Sequence, residues 1–377
     1  MHESTVEESL ENTDAIRESV RRIMRDYDPD YWRRIDSQRS FPTDFFDAMA
    51  AAGFCGALVP AEFGGSDVGL RAASVIVEEV NRAGGDAAAL NAQMAICTTL
   101  VRSGSDRQRR RYLPDVACGR IRFVTVAATE SDSGADMSRL ASTARRDGAR
   151  WVINARKVLI SMAEHTRLLL LLVVADEGPV LFLLDREQID DRLEVRPTET
   201  IVNRMLTTLF VDDLRVPDSA RIGAPGHGLQ CLMAGFAPRR ILAAAESIGN
   251  ARFLLERSLE HARTRRTFDR PIGQNQGVQY PLTQAYAKVE AADLMRWSAI
   301  DQVRTGDDAG GRSALAKILA SEAAWETARA ALTTFGGWAL TSELHVERKV
   351  RECSVYVFNN MLLSYVAQRV LELPRAF

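Results

Sequence analysis

Arg239 and Arg240 stand together in APRRILAAAESIG, residues 237–249, where small and apolar residues past Pro238 predict a helix. A helix N-terminus carries partial positive charge, so a cation in its first turn calls for an anion in front of it. The guanidinium is a permanently charged planar fork that suits carboxylate or phosphate oxygens and cannot act as a general base. Glu246 lies seven residues past Arg239 on the same face, about 10 Å away by helix rise. It is a candidate base, an indirect partner of Arg239, or ordinary helix chemistry. Arg239 and Glu246 are therefore the candidate catalytic residues.

Other chemistries are poorly represented. Five histidines form no metal-spaced cluster and no HExxH occurs, so no metal site is expected. Five scattered cysteines without a CxxC pair read as reduced thiols of a cytoplasmic protein. A net charge of −2 gives no basic field for nucleic acid or a membrane surface. The opening MHESTVEESLENTDAIRESV is acidic and has no apolar h-region, so it does not read as a signal peptide. The longest apolar run, LLLLLVVA at 168–175, is too short for a bilayer and suits a buried strand.

The 377 residues, 46% hydrophobic, suffice for two or three structural units. Residues 1–120 read as an N-terminal all-α domain, with apolar residues at three-to-four spacing in DAIRESVRRIMRDY and PTDFFDAMAAAG. Residues 121–222 read as a middle β-domain, a barrel or sandwich, in which WVINARKVLIS, RLLLLLVVAD, PVLFLLD and TTLFVDDLRVP are broken by Gly, Pro and Asp. Residues 223–377 return to long, alanine-rich helices suited to tight packing, a C-terminal four-helix-bundle-like domain. The fold class is α+β.

Five motifs in this order resemble the acyl-CoA dehydrogenase superfamily of flavoproteins over nearly the whole chain. ATESDSGAD, 128–136, is similar to its T-E-P-x-A-G-S-D segment. That resemblance places Ala128, Thr129, Gly134 and Ala135 at the flavin, with Ala135 in place of a serine. NARKVLIS, 154–161, resembles N-G-x-K-x-W-I-[ST], with Ser161 near the flavin N5 and Leu159 in place of a ring-shielding tryptophan. LFVDDLRVP, 209–217, resembles the strand that closes the β-domain. ARTRRTFDRPIGQNQGVQ, 262–279, is similar to Y-A-x-x-R-x-x-F-G-x-P-I-x-x-x-Q. Arg265, Phe268 and Gln276 then hold the FAD pyrophosphate and adenosine of a neighbouring subunit, with Asp269 in place of a glycine. FGGWALTSELHVERKVRE, 335–352, resembles the segment whose Gly336 and Gly337 let the dinucleotide approach the backbone; Arg351 matches a structural arginine and Glu343 a glutamate that is not the base.

The resemblance implies FAD as cofactor and an oxidoreductase acting on a small acyl substrate, whether CoA-linked, carrier-protein-bound or a free acid. It also implies a homo-oligomer, dimer or tetramer, with an electron-transfer protein or O2 as acceptor. The family's catalytic glutamate occupies one of two places. In the Y-E-G-T segment the ungapped counterpart is Asn360; before the arginine of E-R-[ILV]-x-x-A it is Arg239. Neither carries a carboxylate. Three outcomes remain open. One is non-standard flavin chemistry of the kind found in secondary metabolism, by decarboxylation, oxidation or monooxygenation. The second is a true dehydrogenase with another base such as Asp132. The third is a non-catalytic flavin-binding scaffold.

Overall fold

The computed structural model describes residues 2–134, 136–189 and 192–374. Six helices come first: α1 (His2–Met24), α2 (Pro29–Ser37), α3 (Thr43–Ala51), α4 (Gly69–Arg82), α5 (Ala88–Ser103) and α6 (Asp106–Ala117). The strands follow as β1 (Thr125–Ala127), β2 (Thr143–Asp147), β3 (Arg150–Ser161), β4 (Leu168–Ala175), β5 (Gly178–Asp185), β6 (Leu193–Pro197), β7 (Leu206–Pro217) and β8 (Arg221–Ile222). Helices then return as α7 (Gly228–Met233) and α8 (Phe236–Thr264). A short hairpin, β9 (Arg266–Thr267) and β10 (Arg270–Pro271), precedes α9 (Gln276–Arg304), α10 (Gly310–Phe335), α11 (Val346–Ser354) and α12 (Asn360–Arg369). This is the α+β order expected, with helices at both ends and a sheet between. Contacts group the chain into two compact units. One holds the residues up to Gln38, Leu70–Ala87 and Arg240 onward; the other holds Arg39–Gly69 and Ala88–Arg239.

The second unit is built on a sheet of order β6-β7-β3-β2-β4-β5-β8, with β1 parallel to β4. The run LLLLLVVA is apolar throughout because β4 is covered on both faces. Leu168, Leu170 and Leu172 pack with Ile96, Leu100 and Leu113 of α5 and α6. Leu169, Leu171 and Val173 join Trp151, Ile153 and Phe182 on the other face. A strand buried on both faces loses the alternation of a half-exposed one. β2 was not among the expected strands. Ala144 is its one buried residue, and its place follows from pairing with β3 across the turn at Gly148. Ser105 starts α6 with a capping box: its hydroxyl accepts from Gln108 N, and the Gln108 side chain accepts from Ser105 N.

The first unit is an alanine-rich helical bundle. Ala285, Ala292 and Ala299 of α9 meet Ala316, Ala320 and Ala324 of α10 in one core with Ile248 and Leu254 of α8. Small side chains let helix axes approach closely. Gly249 shows the same demand, since an added Cβ would lie 2.4 Å from Glu78 O of α4. Glu78 is itself buried and takes Arg296 Nη2 at 2.7 Å and the Arg252 guanidinium. Burial alone would raise its pKa, but the arginines outweigh burial and hold it at about 2.

Candidate functional site

Within the sheet unit, the two expected flavin-facing segments are brought side by side. Val158 N donates to Thr129 O at 3.0 Å, which ties the loop after β1 to β3. Lys157, fully buried, donates to Glu130 Oε1 at 2.7 Å and to Ala128 O at 3.3 Å. Glu130 also accepts from Ala141 N at 2.6 Å and Ser142 N at 3.1 Å. Burial alone would raise the Glu130 pKa. These donors outweigh it and bring it to about 2. The same burial pushes Lys157 below the ordinary lysine value, against the pull of Glu130. The pair thus fixes Ala128 and Thr129 against the strand that carries Leu159 and Ser161.

Leu159 stands out in that strand. The register between β3 and β7 shifts between Lys157 and Ile160, which marks a bulge. Leu159 sits in it at φ +55° and is 56% exposed. Left-handed backbone costs a leucine roughly 1–2 kcal/mol, and exposure of its side chain returns nothing within the chain. Strain held at an exposed apolar side chain is a mark of a functional surface. Ser161 O accepts from Thr125 Oγ1 at 3.0 Å, which leaves its hydroxyl outside that bond. An added Cβ at Gly134 would meet nothing within 4 Å. Ala135 lies outside the described residues.

In the helical unit, α8 runs into the β9–β10 hairpin. Ile272 N donates to Arg265 O at 2.9 Å, and Gln276 begins α9. Arg265, Phe268 and Gln276 all face solvent. The two turn residues, Phe268 and Asp269, both have positive φ, +53° and +61°. That is the backbone of a type I′ turn, which favours Asn-Gly. Phe268 is 94% exposed. The end of α10 meets the end of α8, where Phe335 stacks on His261 with ring centroids 4.3 Å apart. Gly336 and Gly337 follow at once. Gly336 adopts φ +59°, ψ −139°, a region open essentially to glycine, and an added Cβ at either position would meet nothing.

Arg239 and Glu246 both lie on α8, and the structure gives them different surroundings. Arg239 N donates to Gly235 O, so the helix already includes it. Its side chain reaches solvent, and among the described residues it has neither a hydrogen-bond nor an ion-pair partner. Surrounding protein lowers its pKa by desolvation, with no nearby carboxylate to offset this. Arg240 is settled: its guanidinium lies over the Tyr365 ring at 4.7 Å and donates to Gly310 O at 3.3 Å. Glu246 is buried and accepts from Tyr356 Oη at 2.8 Å. Asn360 is exposed at the start of α12. Asp132 is exposed in the loop after β1, and Glu343 is exposed before α11. Arg351 forks onto Asp36 (2.6 and 3.2 Å) and Glu347 (2.8 Å), in keeping with a structural role.

Models of the acyl-CoA dehydrogenase N-terminal, middle and C-terminal domains match residues 11–120, 125–213 and 226–360. The acyl-CoA dehydrogenase FadE12 of Mycobacterium tuberculosis is 30% identical over 380 residues, covering 97% of this chain and 98% of the relative. The chain belongs to the acyl-CoA dehydrogenase family. Among solved structures, PigA with FAD and proline is 27% identical with a TM-score of 0.89, covering 95% of this chain and 97% of that one. The glutaryl-coenzyme A dehydrogenase–glutaryl-CoA complex is 25% identical with a TM-score of 0.88, covering 97% and 96%.

The residues present fit the FAD of an acyl-CoA dehydrogenase. In the sheet unit, the open backbone at Gly134 and the outward apolar Leu159 suit a ring system; in the helical unit, taken by itself, the open backbone at Gly336 and Gly337 and the solvent-facing Arg265 suit a pyrophosphate. The sequence reading overlooked Glu130, Lys157 and Tyr356 as functional supports. The first two were within its grasp, since the glutamate stands in one quoted motif, ATE, and the lysine in the other, NARK. Tyr356 gave no signal, because its partner is 110 residues away.

Proposed function

We propose that the protein is an FAD-dependent oxidoreductase whose acyl-type substrate carries its own carboxylate, and that Arg239 holds that carboxylate. The observation that supports this reading is Arg239 itself, a solvent-reaching guanidinium with neither a hydrogen-bond nor an ion-pair partner among the described residues. An unpaired guanidinium is open to an incoming anion, and a bidentate carboxylate is the natural match. Glutaryl-CoA, the ligand of one solved relative, belongs to this class of thioesters with a free carboxylate.

The cofactor is FAD, which supplies a two-electron acceptor. Thr129 and Ser161 offer hydroxyls to its ring, Leu159 covers it, and the Lys157–Glu130 pair holds both segments in register. Arg265, Phe268 and Gln276 serve the FAD of a neighbouring copy, so the working unit is a homodimer or tetramer. Arginine and asparagine stand at the two usual glutamate positions, and neither takes a proton from an α-carbon. Where the carboxylate stands on the α-carbon, its loss as CO2 leaves the bonding electron pair as the thioester enolate, so no protein base is required at that carbon. Oxidation or monooxygenation that needs no α-proton transfer belongs to the same class of outcome.

FadE12, an acyl-CoA dehydrogenase by name, favours a second reading: α,β-dehydrogenation of a CoA or carrier-protein thioester with Asp132 as base. Short dicarboxylic acyl thioesters assayed beside their monocarboxylic counterparts separate the two, with product CO2 and reoxidation by O2 followed together. A preference for dicarboxylic substrates that disappears in Arg239→Ala supports the first reading. Equal use of both classes by wild type and variant removes it. Arg239→Glu tests the site from the other side, because gained thioester dehydrogenation shows the remaining machinery to be intact. Purified protein that binds no FAD would make the chain a scaffold.

A further inference from the structure

The basic residues of this chain are 44 arginines and only four lysines: Lys157, Lys288, Lys317 and Lys349. Where arginine serves almost every surface position, an internal lysine points to a place that needs a compact ammonium rather than a planar fork. Lys157 and Lys349 are fully buried on carboxylates, Glu130 at 2.7 Å and Glu352 at 2.8 Å. Lys317 of α10 is half-buried and has no carboxylate. Its Nζ donates to Tyr356 O at 2.7 Å and to Asn359 Oδ1 at 2.6 Å. Asn359 Nδ2 in turn donates to Ser321 Oγ of α10 at 2.9 Å.

We propose that Lys317 is the positioning residue for the Tyr356–Asn360 segment, clamping it to α10 through two neutral oxygens. The segment includes Asn360, one of the two positions at which the family keeps its glutamate, and to that extent the proposal rests on the functional reading above. Tyr356 and Asn359 are buried anchors, while Val357, Phe358 and Asn360 between and beside them face outward. A clamp of this kind sets where those outward side chains stand without touching a substrate.

The ionisable groups on the elements packed around α10 are engaged elsewhere. Glu246 of α8 accepts from Tyr356, and Arg240 lies over Tyr365 of α12. Glu352 of α11 is held by Arg348 and Lys349. On α9, Lys288 pairs with Glu326 of α10, while Arg296 and Asp293 join the Glu78 cluster. Asp308, before α10, accepts from Gly310 N. Burial therefore acts on Lys317 without an opposing carboxylate and lowers its pKa from 10.5 to about 8. The docked segment goes with the low value and the undocked segment with the ordinary one. Between these two values the undocked state binds more protons, so raising the pH favours docking, with the proton released to solvent. Below about pH 8 both states are protonated and the dependence vanishes.

Phe358, 80% exposed, reports on the clamp as a chymotrypsin site. Cleavage after Phe358 in the purified, full-length protein is followed by mass, with each rate corrected against a reference peptide at the same pH. In the wild type it slows by roughly 20-fold from pH 7.5 to 9.5. Lys317→Met cleaves faster at both pH values and shows no pH dependence. Asn359→Asp supplies the missing carboxylate, restores the lysine to an ordinary pKa, and gives slow, flat cleavage. A flat wild-type profile, or Lys317→Met with the wild-type rate and profile, overturns the proposal. Should Lys317→Met fail to fold, Asn359→Asp decides alone: a flat profile supports the clamp and the wild-type profile overturns it. The readout needs neither flavin nor substrate, so the clamp and the functional reading fail separately.

Discussion

Tyr356 donates its phenol proton to Glu246 across 2.8 Å, and the same oxygen accepts from the Asn250 amide at 2.8 Å. The chain of bonds continues through Asn250 Oδ1 to Lys349 (2.6 Å) and from Lys349 to Glu352 (2.8 Å). Glu246 is thus part of a buried polar network, and among the described residues Arg239, two turns earlier, has no anion from its own helix.

Glu246→Gln keeps an acceptor for Tyr356. Turnover stays within a few-fold of wild type and urea denaturation shows only a small loss. Glu246→Leu strands the phenol and lowers stability by about 1–3 kcal/mol. A folded Glu246→Gln protein with no turnover would mark Glu246 as a base after all.

The Lys157–Glu130 pair carries a larger penalty when half of it is removed. Lys157→Met leaves Glu130 buried without its cation, which costs about 3–5 kcal/mol, and removes the Lys157 bond that ties Ala128 to β3. Melting temperature and flavin content fall together. Glu130 has a folded pKa of about 2 against an ordinary 4.5, so its contribution is complete above about pH 4.5 and is lost as pH falls towards 2. Glu130→Gln removes that segment of the acid-unfolding curve; an unchanged curve would assign acid sensitivity to Glu78 or another group.

Phe268 and Asp269 separate stability from cofactor retention. Asp269→Gly relieves a left-handed residue and raises stability by up to about 1 kcal/mol. Phe268→Ala, at an exposed position, leaves the melting temperature of the flavin-free chain nearly unchanged and weakens FAD retention by tenfold or more. Thermal melts with and without FAD, and flavin release on gel filtration, measure the two effects. Retention equal to wild type would place the nucleotide elsewhere.

Arg239→Met breaks no side-chain hydrogen bond or ion pair among the described residues, so the melting temperature does not fall. Affinity for a carboxylate-bearing substrate drops by about 10- to 150-fold, the range of a lost hydrogen bond to a charged group. A destabilised Arg239→Met protein would show that the guanidinium is satisfied internally.

Much of this was readable in the residues. The LLLLLVVA strand, the alanine-rich helices and the helix–sheet–helix order all follow from local pattern, because burial on one or two faces writes itself into the spacing of apolar residues. The motifs that carry the family resemblance were readable as well, since each is continuous in sequence. β2 was not, because Thr-Ala-Arg-Arg-Asp has the composition of a loop and becomes a strand only through its ladder to β3. The bulge that turns Leu159 outward was equally hidden, because a register shift belongs to a pair of strands rather than to one.

The amino-acid sequence alone determined the family and the order of helices and strands. Those properties are local or depend on residue identity. Only tertiary structure decided which charges find partners. Glu246 is taken by Tyr356 from 110 residues away, and Glu130 is matched to Lys157 from 27 residues away, while Arg239 meets no acid among the described residues. Pairing depends on distance and desolvation in three dimensions, and neither is encoded in the spacing along the chain.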